Sequence, residues 1–397
     1  KKSKGGLKLD SLEAALKGGE SGSPTIAPGK PEESELILRI GADDENDRMP
    51  FEEEPLTTSE IQALRRWIFE GAQWTAASDI IEIPDKQEEL PFLRRIYLDT
   101  VGVIPTTEEI RKYRADTRTD KKARLIDRLL NDPRHADHWV PYWQDVLAEN
   151  PSLMKPTLNN SGPFRYWIHE SLLDNKSFDQ FVTELVTFQG DPYAGGAAGF
   201  GLATQNDSPE AAKAHIIGTA FLGVEMKCAR CHDSPNHSST QKDLFSIAAM
   251  LNGSPVKVPS SSTVPETFFE RLADRKPHIT KSLHPETSVE PVWPFAEWGN
   301  ENSGQKKTFN SSTVELAWHL TRLENPRFAR VIVNRIWKRY FGQGFVEPAF
   351  DWEGNDPSHP DLLVYLARDF VANGYNLKRL SRLILNSGAY SREPIVE

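Results

Sequence analysis

Cys228-Ala229-Arg230-Cys231-His232 is the stretch of this chain best equipped for chemistry. It has the spacing C-x-x-C-H, the attachment signature of a c-type haem. Two thiols at that spacing add across the haem vinyl groups and tether the porphyrin. The adjacent imidazole of His232 offers a nitrogen to iron, where axial ligand identity helps set the reduction potential. Cys228 and Cys231 are the only cysteines in 397 residues, so a zinc site of four cysteines is impossible. Two rival readings stay open. A mixed-ligand zinc site needs two further donors, and only His237 is close in sequence. A dithiol redox centre uses the same C-x-x-C spacing but needs a βαβ context that the pattern lacks.

Iron held by His232 needs a second axial ligand or keeps an open face. His237 follows by five residues. A fully extended chain of that length spans roughly 17 Å, all of which the path round a porphyrin edge would consume. His215 precedes Cys228 by thirteen residues, ~20 Å along a straight helix. Met226 is too close to the tether to turn back. A distal ligand is therefore expected from a remote segment. His135, His138 and His169 sit on or beside aromatic-rich helical stretches, and His319 and His359 lie in the last region. His138, beside Trp139, and His359 are the distal candidates. His359 also fits a purely structural place between Ser358 and Pro360 at a helix start. Asp351, Glu353 and Asp356 lie near it in sequence, yet their spacing demonstrates no acid–base pair.

The elements that must position these groups are mostly helical. Pro31-Glu32-Glu33-Ser34 opens a short helix carrying Leu36, Ile37 and Ile40. Thr57-x-x-Glu60 is a capping box for a helix with Ile61, Leu64, Trp67 and Ile68 on one face, and Gly71 is a natural C-cap. Leu93, Ile96, Tyr97 and Val101 repeat at helical spacing. Thr106 to Glu109 caps the next helix, and Ala123, Ile126, Leu129 and Leu130 mark another. Trp139, Tyr142, Trp143 and Val146 form an aromatic stripe, as do Phe164, Trp167, Ile168 and Leu172. Such stripes suit a plain core or a haem wall. Ser208-Pro209-Glu210 starts a helix that runs through Ile216, Ala220 and Val224 toward Cys228. Residues 251–312 are broken by seven prolines, from Pro255 to Pro294, into an irregular connection. Helical periodicity returns with Val331, Ile332, Arg335 and Ile336, then Leu362, Leu363, Leu366 and Phe370, then Leu377, Leu380, Leu383 and Ile384. The fold class expected is mainly α: a multi-domain helical protein with a c-type haem site and a long irregular connection.

Hydrophobic content of 38% and charged content of 26% suit a globular chain. No run approaches the ~18 apolar residues of a membrane span, so no span is expected. The net charge is −10, and residues 31–60 alone hold eleven acids against Arg39 and Arg48. Such an acidic edge solvates the surface or steers a basic partner, and it argues against nucleic acid. Arg327, Arg330, Arg335, Lys338 and Arg339 put five bases into thirteen residues with no acid. Arg330 and Arg335 point to different helix faces, so part of that set is expected to pair internally. Covalent c-type attachment takes place outside the bacterial cytoplasm, so a periplasmic or otherwise extracytoplasmic location is expected.

The flanks of the motif resemble one family. Phe221-Leu222-Gly223-Val224 before it and Cys231-His232-Asp233-x-Pro235 across its end look like the planctomycete cytochrome-type (PSCyt) domain. Arg94-Arg95-Ile96-Tyr97-Leu98-Asp99 and Leu125-Ile126-Asp127-Arg128-Leu129-Leu130 fit the same domain. Asn325-Pro326-Arg327-Phe328-Ala329-Arg330, Val333-Asn334-Arg335-Ile336-Trp337 and Pro357-Ser358-His359-Pro360 look like its companion, the PSD domain. Gly5-Gly6-Leu7, Pro28 to Ser34 and Arg48-Met49-Pro50 resemble the tail of a cytochrome c-like head domain. The resemblance implies residues 1–78 as a partial head domain and 85–250 as a haem-binding helical domain. It implies 251–312 as the connection and 313–397 as a PSD-like helical domain that need not be complete. It also implies haem c on Cys228, Cys231 and His232. The head domain's own C-x-x-C-H is expected ahead of Lys1, so further polypeptide and a further haem are expected with it. Met49 matches the methionine that ligates such a haem. Many relatives carry a histidine where this chain has Ser234, so no role of that histidine carries over.

Three functions fit this reading. The first is electron transfer with a redox partner protein, one with a basic face. The second is a haem-dependent or haem-assisted oxidoreductase acting on a carbohydrate or other extracytoplasmic substrate. The third is an assembly protein that haem braces.

Overall fold

The computed structural model describes residues 12–19, 22–42, 44, 47–50, 54–72, 89–147, 162–191, 195–203, 208–265, 267, 279–298 and 308–392. Gly5-Gly6-Leu7 and four acids of the acidic run, Asp43, Glu45, Glu52 and Glu53, lie outside these residues. The chain divides into two compact units, Lys1–Pro84 and Asp85–Glu397.

The first unit has α1 (Leu12–Lys17), a 3-10 turn (Pro31–Glu33), α2 (Glu35–Ile40) and α3 (Thr58–Phe69). Its core is Ala15, Ile26, Ile37, Ile40, Ile68 and Ala72, with Met49, Ile61, Leu64 and Trp67 packed against it. The capping box forms as expected. The Thr57 N–H donates to Glu60 Oε2 at 2.7 Å, and the Glu60 N–H donates to Thr57 Oγ1 at 3.4 Å. Gly71 follows the helix with φ +102°, a backbone state that favours glycine. Three of its described acids are paired nearby: Glu32 with Arg65, Glu33 with Lys30, and Glu35 with Arg39.

The second unit is a stack of helices: α4 (Glu89–Val101), α5 (Thr107–Ala115), α6 (Lys121–Leu130), α7 (Pro133–Val146), α8 (Gly162–Leu173) and α9 (Phe178–Val186). They are followed by α10 (Phe200–Ala203), α11 (Pro209–Ile217), α12 (Gln241–Asn252), α13 (Ser312–Thr321), α14 (Phe328–Phe341), α15 (Pro360–Ala372) and α16 (Leu377–Leu385). Among the described residues, two antiparallel pairs of two-residue strands complete it. β1 (Gly190–Asp191) runs antiparallel to β2 (Gly195–Gly196), and β3 (Val256–Lys257) runs antiparallel to β4 (Ser288–Val289), with Val256 opposite Val289.

One hydrophobic core runs from Phe92 on α4 to Tyr390 beyond α16. It passes through Val258, Val289 and Trp293, so the proline-rich connection shares the core of the helices on either side. The aromatic stripes fill this core. Trp143 lies 4.7 Å from Phe178 between ring centroids, and Phe178 lies 5.1 Å from Phe181. The stripe on α7 is thus taken up by neighbouring rings. Two local expectations change. Ser208 makes no side-chain cap to α11. Leu362 faces outward, and α15 buries Leu363, Leu366, Ala367 and Phe370 instead. Helical spacing allows either face, and packing of α15 on α14 selects one.

Two buried histidines couple this core to pH. Burial pushes the imidazole of His135 down to about 4, against a hydrogen bond from its Nδ1 to the Thr100 carbonyl. Burial, with the nearby Arg322 cation, pushes His319 down to about 4 as well. His319 stacks on Trp293 at 4.9 Å and 5°, and its Nδ1 is buried without a partner. Both rings stay neutral where an unfolded imidazole, near 6.5, already takes a proton. The unfolded chain then binds more protons, so stability is present above about 6.5 and falls as pH drops toward about 4. His319→Phe keeps the stacking and removes the unpartnered nitrogen. Urea titrations across that window should show a shallower loss, by up to about 1.4 kcal/mol per pH unit. An unchanged slope would mean that His319 protonates freely in the native state.

Candidate haem-attachment site

The C-x-x-C-H turn sits between α11 and α12, and the chain reaches it by a reversal rather than a straight run. α11 gives way to a π-helical turn over Gly218–Leu222. Gly223 then takes φ +63°, a left-handed state. Its N-terminal neighbours are tied from the last part of the chain. Arg335 on α14, only 8% exposed, donates from Nε to the Ala220 carbonyl at 2.9 Å and from Nη2 to the Thr219 carbonyl at 2.6 Å. These are carbonyls that a helix end leaves unpaired. The Trp352 N–H donates to the Gly223 carbonyl at 2.9 Å. A Cβ on Gly223 would stand 2.5 Å from Trp352 Cδ1, so the indole is packed directly on the reversal.

The reversal changes the reach of His215. On a straight helix it would lie far from the tether. In the folded chain the Met226 N–H donates to His215 Nδ1 at 3.4 Å, and Glu225 Oε1 lies 3.5 Å from the same nitrogen. The distance argument against His215 therefore does not hold. Burial lowers the pKa of His215, with Glu225 opposing and Lys227 assisting. Met226 itself is fully buried in the core.

Residues Cys228–Arg230 form a 3-10 turn. The N–H groups of Cys231 and His232 both donate to the Cys228 carbonyl, at 3.1 and 3.2 Å. Both thiols are free, with Cys228 exposed and Cys231 half-buried. His232 Nδ1 lies 2.8 Å from the Asp233 carbonyl oxygen. A carbonyl only accepts, so Nδ1 carries the proton and Nε2 presents its lone pair. That is the tautomer a metal-bound imidazole needs, with its second nitrogen held by the protein. Two accessible thiols and a lone pair at Nε2 fit a covalently tethered haem iron. Among the described residues, no group of three or more His, Cys, Asp or Glu side chains is placed to hold a metal ion.

The turn is clasped on two sides. From the proline-rich connection, the Thr280 carbonyl accepts from the Asp233 N–H at 2.8 Å. Asp233 Oδ1 accepts from Ser282 Oγ at 2.6 Å and from the Gln241 N–H at 2.9 Å. Gln241 Oε1 in turn accepts from the N–H groups of Ser282 and Leu283, both at 3.2 Å. From the loop after α14, Asp351 Oδ2 lies 2.8 Å from His237 Nε2, whose Nδ1 lies 3.0 Å from Ser234 Oγ. Glu353 accepts from the Ser238 N–H at 2.6 Å. Both nitrogens of His237 are occupied, so it is not poised to bind iron. Sequence reasoning did not find this Ser234–His237–Asp351 chain. Proximity in sequence sets Asp351 beside His359, whereas the fold sets it beside His237.

The other candidates are dispersed. His138 Nε2 lies 3.3 Å from Arg339 Nη2, its ring packs on Gly102, and burial with the Arg339 cation lowers its pKa. His359 is exposed at the start of α15, 3.1 Å from Ser358 Oγ, and makes no cap. Neither ring bonds to the C-x-x-C-H turn. Met49 belongs to the first unit, where it packs on that unit's core. Of the five bases from Arg327 to Arg339, Arg335 is buried on carbonyls and Lys338 pairs with Glu347 at 2.5 Å. Arg327 lies over the rings of Trp298 and Trp352, and Arg339 meets His138. The set is largely engaged within its own unit, as the different helix faces led one to expect.

Three family models match the chain in order. Residues 1–53 match the planctomycete cytochrome C model (PSCyt1). Residues 72–255 match PSCyt2, a protein of unknown function (DUF1549), and residues 313–397 match PSD1, a protein of unknown function (DUF1553). The helical unit carrying the C-x-x-C-H turn thus takes in nearly all of the PSCyt2 match and all of the PSD1 match. The chain belongs to the PSCyt and PSD domain family, with the tail of a cytochrome c-like head domain. No curated protein and no solved structure matches it significantly.

Gly223→Ala tests the reversal. It combines a left-handed backbone with a direct clash on Trp352, and should cost about 2 kcal/mol or more. Urea denaturation measures the loss. A stability equal to that of the parent chain would mean that Trp352 does not pack on this turn.

Proposed function

We propose that the chain is an exported c-type haem protein that acts in electron transfer. The observation carrying this reading is the C-x-x-C-H turn, with both thiols free and with His232 Nδ1 hydrogen-bonded to the Asp233 carbonyl. The match of residues 1–53 to planctomycete cytochrome C supports it. Cys228 and Cys231 hold the porphyrin, and His232 Nε2 is the proximal ligand. Haem c bound there supplies a one-electron iron couple. The Asp233 carbonyl orients the imidazole. Asp233 is itself fixed by Ser282 and Gln241, so the proximal side is held rigidly. The partner is a redox protein with a basic face, drawn by the acidic run of residues 31–60. The location is periplasmic or otherwise extracytoplasmic. Met49 is the candidate ligand for a haem of the head domain. No helix among the described residues is long and apolar enough to cross a membrane.

Attachment is tested by intact mass after expression in cells that mature c-type cytochromes. The chain should gain one haem that survives denaturation. Cys228→Ser with Cys231→Ser should lose it entirely, whereas His232→Ala should keep partial attachment with altered iron ligation. A bare polypeptide mass from competent cells would overturn the reading.

The distal candidates are His138 and His359, and spectra test each. A low-spin spectrum that becomes high-spin in His138→Ala but not in His359→Ala identifies His138, and the reverse identifies His359. If neither variant changes a low-spin spectrum, both candidates fail and His215 is the next donor to replace. A high-spin parent that binds carbon monoxide would favour the oxidoreductase reading over transfer.

A further inference from the structure

Away from the C-x-x-C-H turn, the second unit carries a surface cavity of about 280 Å³ between α5, residues 116–120 and α6. Five cations line it, Lys112, Arg118, Lys121, Arg124 and Arg128, against one carboxylate, Asp116. Tyr113 and Leu125, both buried, form its apolar floor. Such a concentration of positive charge stands out on a chain of net charge −10.

Three of the cations already have carboxylate partners. Arg118 is bonded to Asp116 at 2.7 and 2.5 Å, Lys112 pairs with Glu108 at 2.7 Å, and Lys121 pairs with Glu89. The remaining two do not. The Arg124 guanidinium makes no hydrogen bond or ion pair among the described residues. Arg128 donates only to the Tyr97 hydroxyl, at 2.7 Å. They stand four residues apart on α6, one turn apart on the same face. Of the acids near them in sequence, Asp127 is bonded to Arg382 and Asp132 to Arg134. The fold thus leaves two guanidiniums facing one concavity without a direct carboxylate bond, although Asp116 feels the charge of Arg124 and Asp132 that of Arg128. A guanidinium is a planar fork of N–H donors that matches the oxygens of phosphate or sulfate two at a time. A concave, partly apolar wall focuses the field of such charges.

We propose that this cavity binds a tetrahedral oxyanion group, phosphate or sulfate, with Arg124 and Arg128 as its charged contacts. The cavity is several times larger than a bare ion, so the group can be the ester end of a small organic molecule lying on Tyr113 and Leu125. Arg118 and the two lysines form the rim.

The test is calorimetric titration of the full chain at fixed ionic strength, balanced with sodium chloride. The ligands are inorganic phosphate, inorganic sulfate, glucose 6-phosphate and glucose 6-sulfate. Saturable binding at one site is expected. Arg124→Gln and Arg128→Gln, each with unchanged circular dichroism, should weaken it at least tenfold, and Arg368→Gln on α15 should leave it unchanged. Tighter binding of the esters than of the free ions would assign the organic part to the apolar floor. Equal binding would restrict the site to the ion. Absence of saturable binding overturns the proposal. So does an equal loss in Arg368→Gln, which would mark a diffuse charge effect.

Discussion

The Arg335 guanidinium on the carbonyls of Thr219 and Ala220 is the contact on which the site's architecture rests. A chain that leaves a helix must find partners for its last carbonyls. Here a buried cation from α14 supplies them, where the π-helical turn prepares the reversal at Gly223. Removing one partner of a buried charged contact leaves the other unpaired, which is costly. The interaction therefore ties the segment entering the C-x-x-C-H turn to a helix more than one hundred residues later. Trp352 packs on the same reversal, and Asp351 beside it reaches His237. One short loop thus grips the turn both before the cysteines and after the histidine.

The second grip comes from the proline-rich connection. A segment without regular structure cannot satisfy its own main-chain groups, so it spends them on neighbours. Thr280, Ser282 and Leu283 spend theirs on Asp233 and Gln241, which flank the motif and open α12. The irregular stretch is therefore part of the site's wall. Its buried Val258, Val289 and Trp293 belong to the same core as the helices. This explains how a segment broken by prolines remains attached along its described length.

Charge is distributed by the same economy. In the first unit Glu32, Glu33 and Glu35 pair with nearby bases, and on α14 Arg335 and Lys338 are engaged within their own unit. The guanidiniums of Arg124 and Arg128 remain without a direct carboxylate bond at a concave surface.

Much was readable from the order of residues. The C-x-x-C-H motif, the capping boxes at Thr57 and Thr106, and the helical stripes from Leu93 to Ile384 are local patterns. Each depends on spacings of a few residues, which backbone geometry converts directly into a face or a cap. The family resemblance rested on the same short motifs. What lay beyond the sequence were contacts between distant segments. The outward turn of Leu362, the nearness of His215 to Met226, and the Ser234–His237–Asp351 chain all depend on how helices pack and where a loop reverses. Gly223 permits that reversal without dictating it, since a glycine allows both hands of backbone. Trp352 packed against it, with Arg335 on the preceding carbonyls of Thr219 and Ala220, selects the left-handed one. Periodicity states which residues can share a face, and the lowest-energy packing of all faces together decides which of them meet.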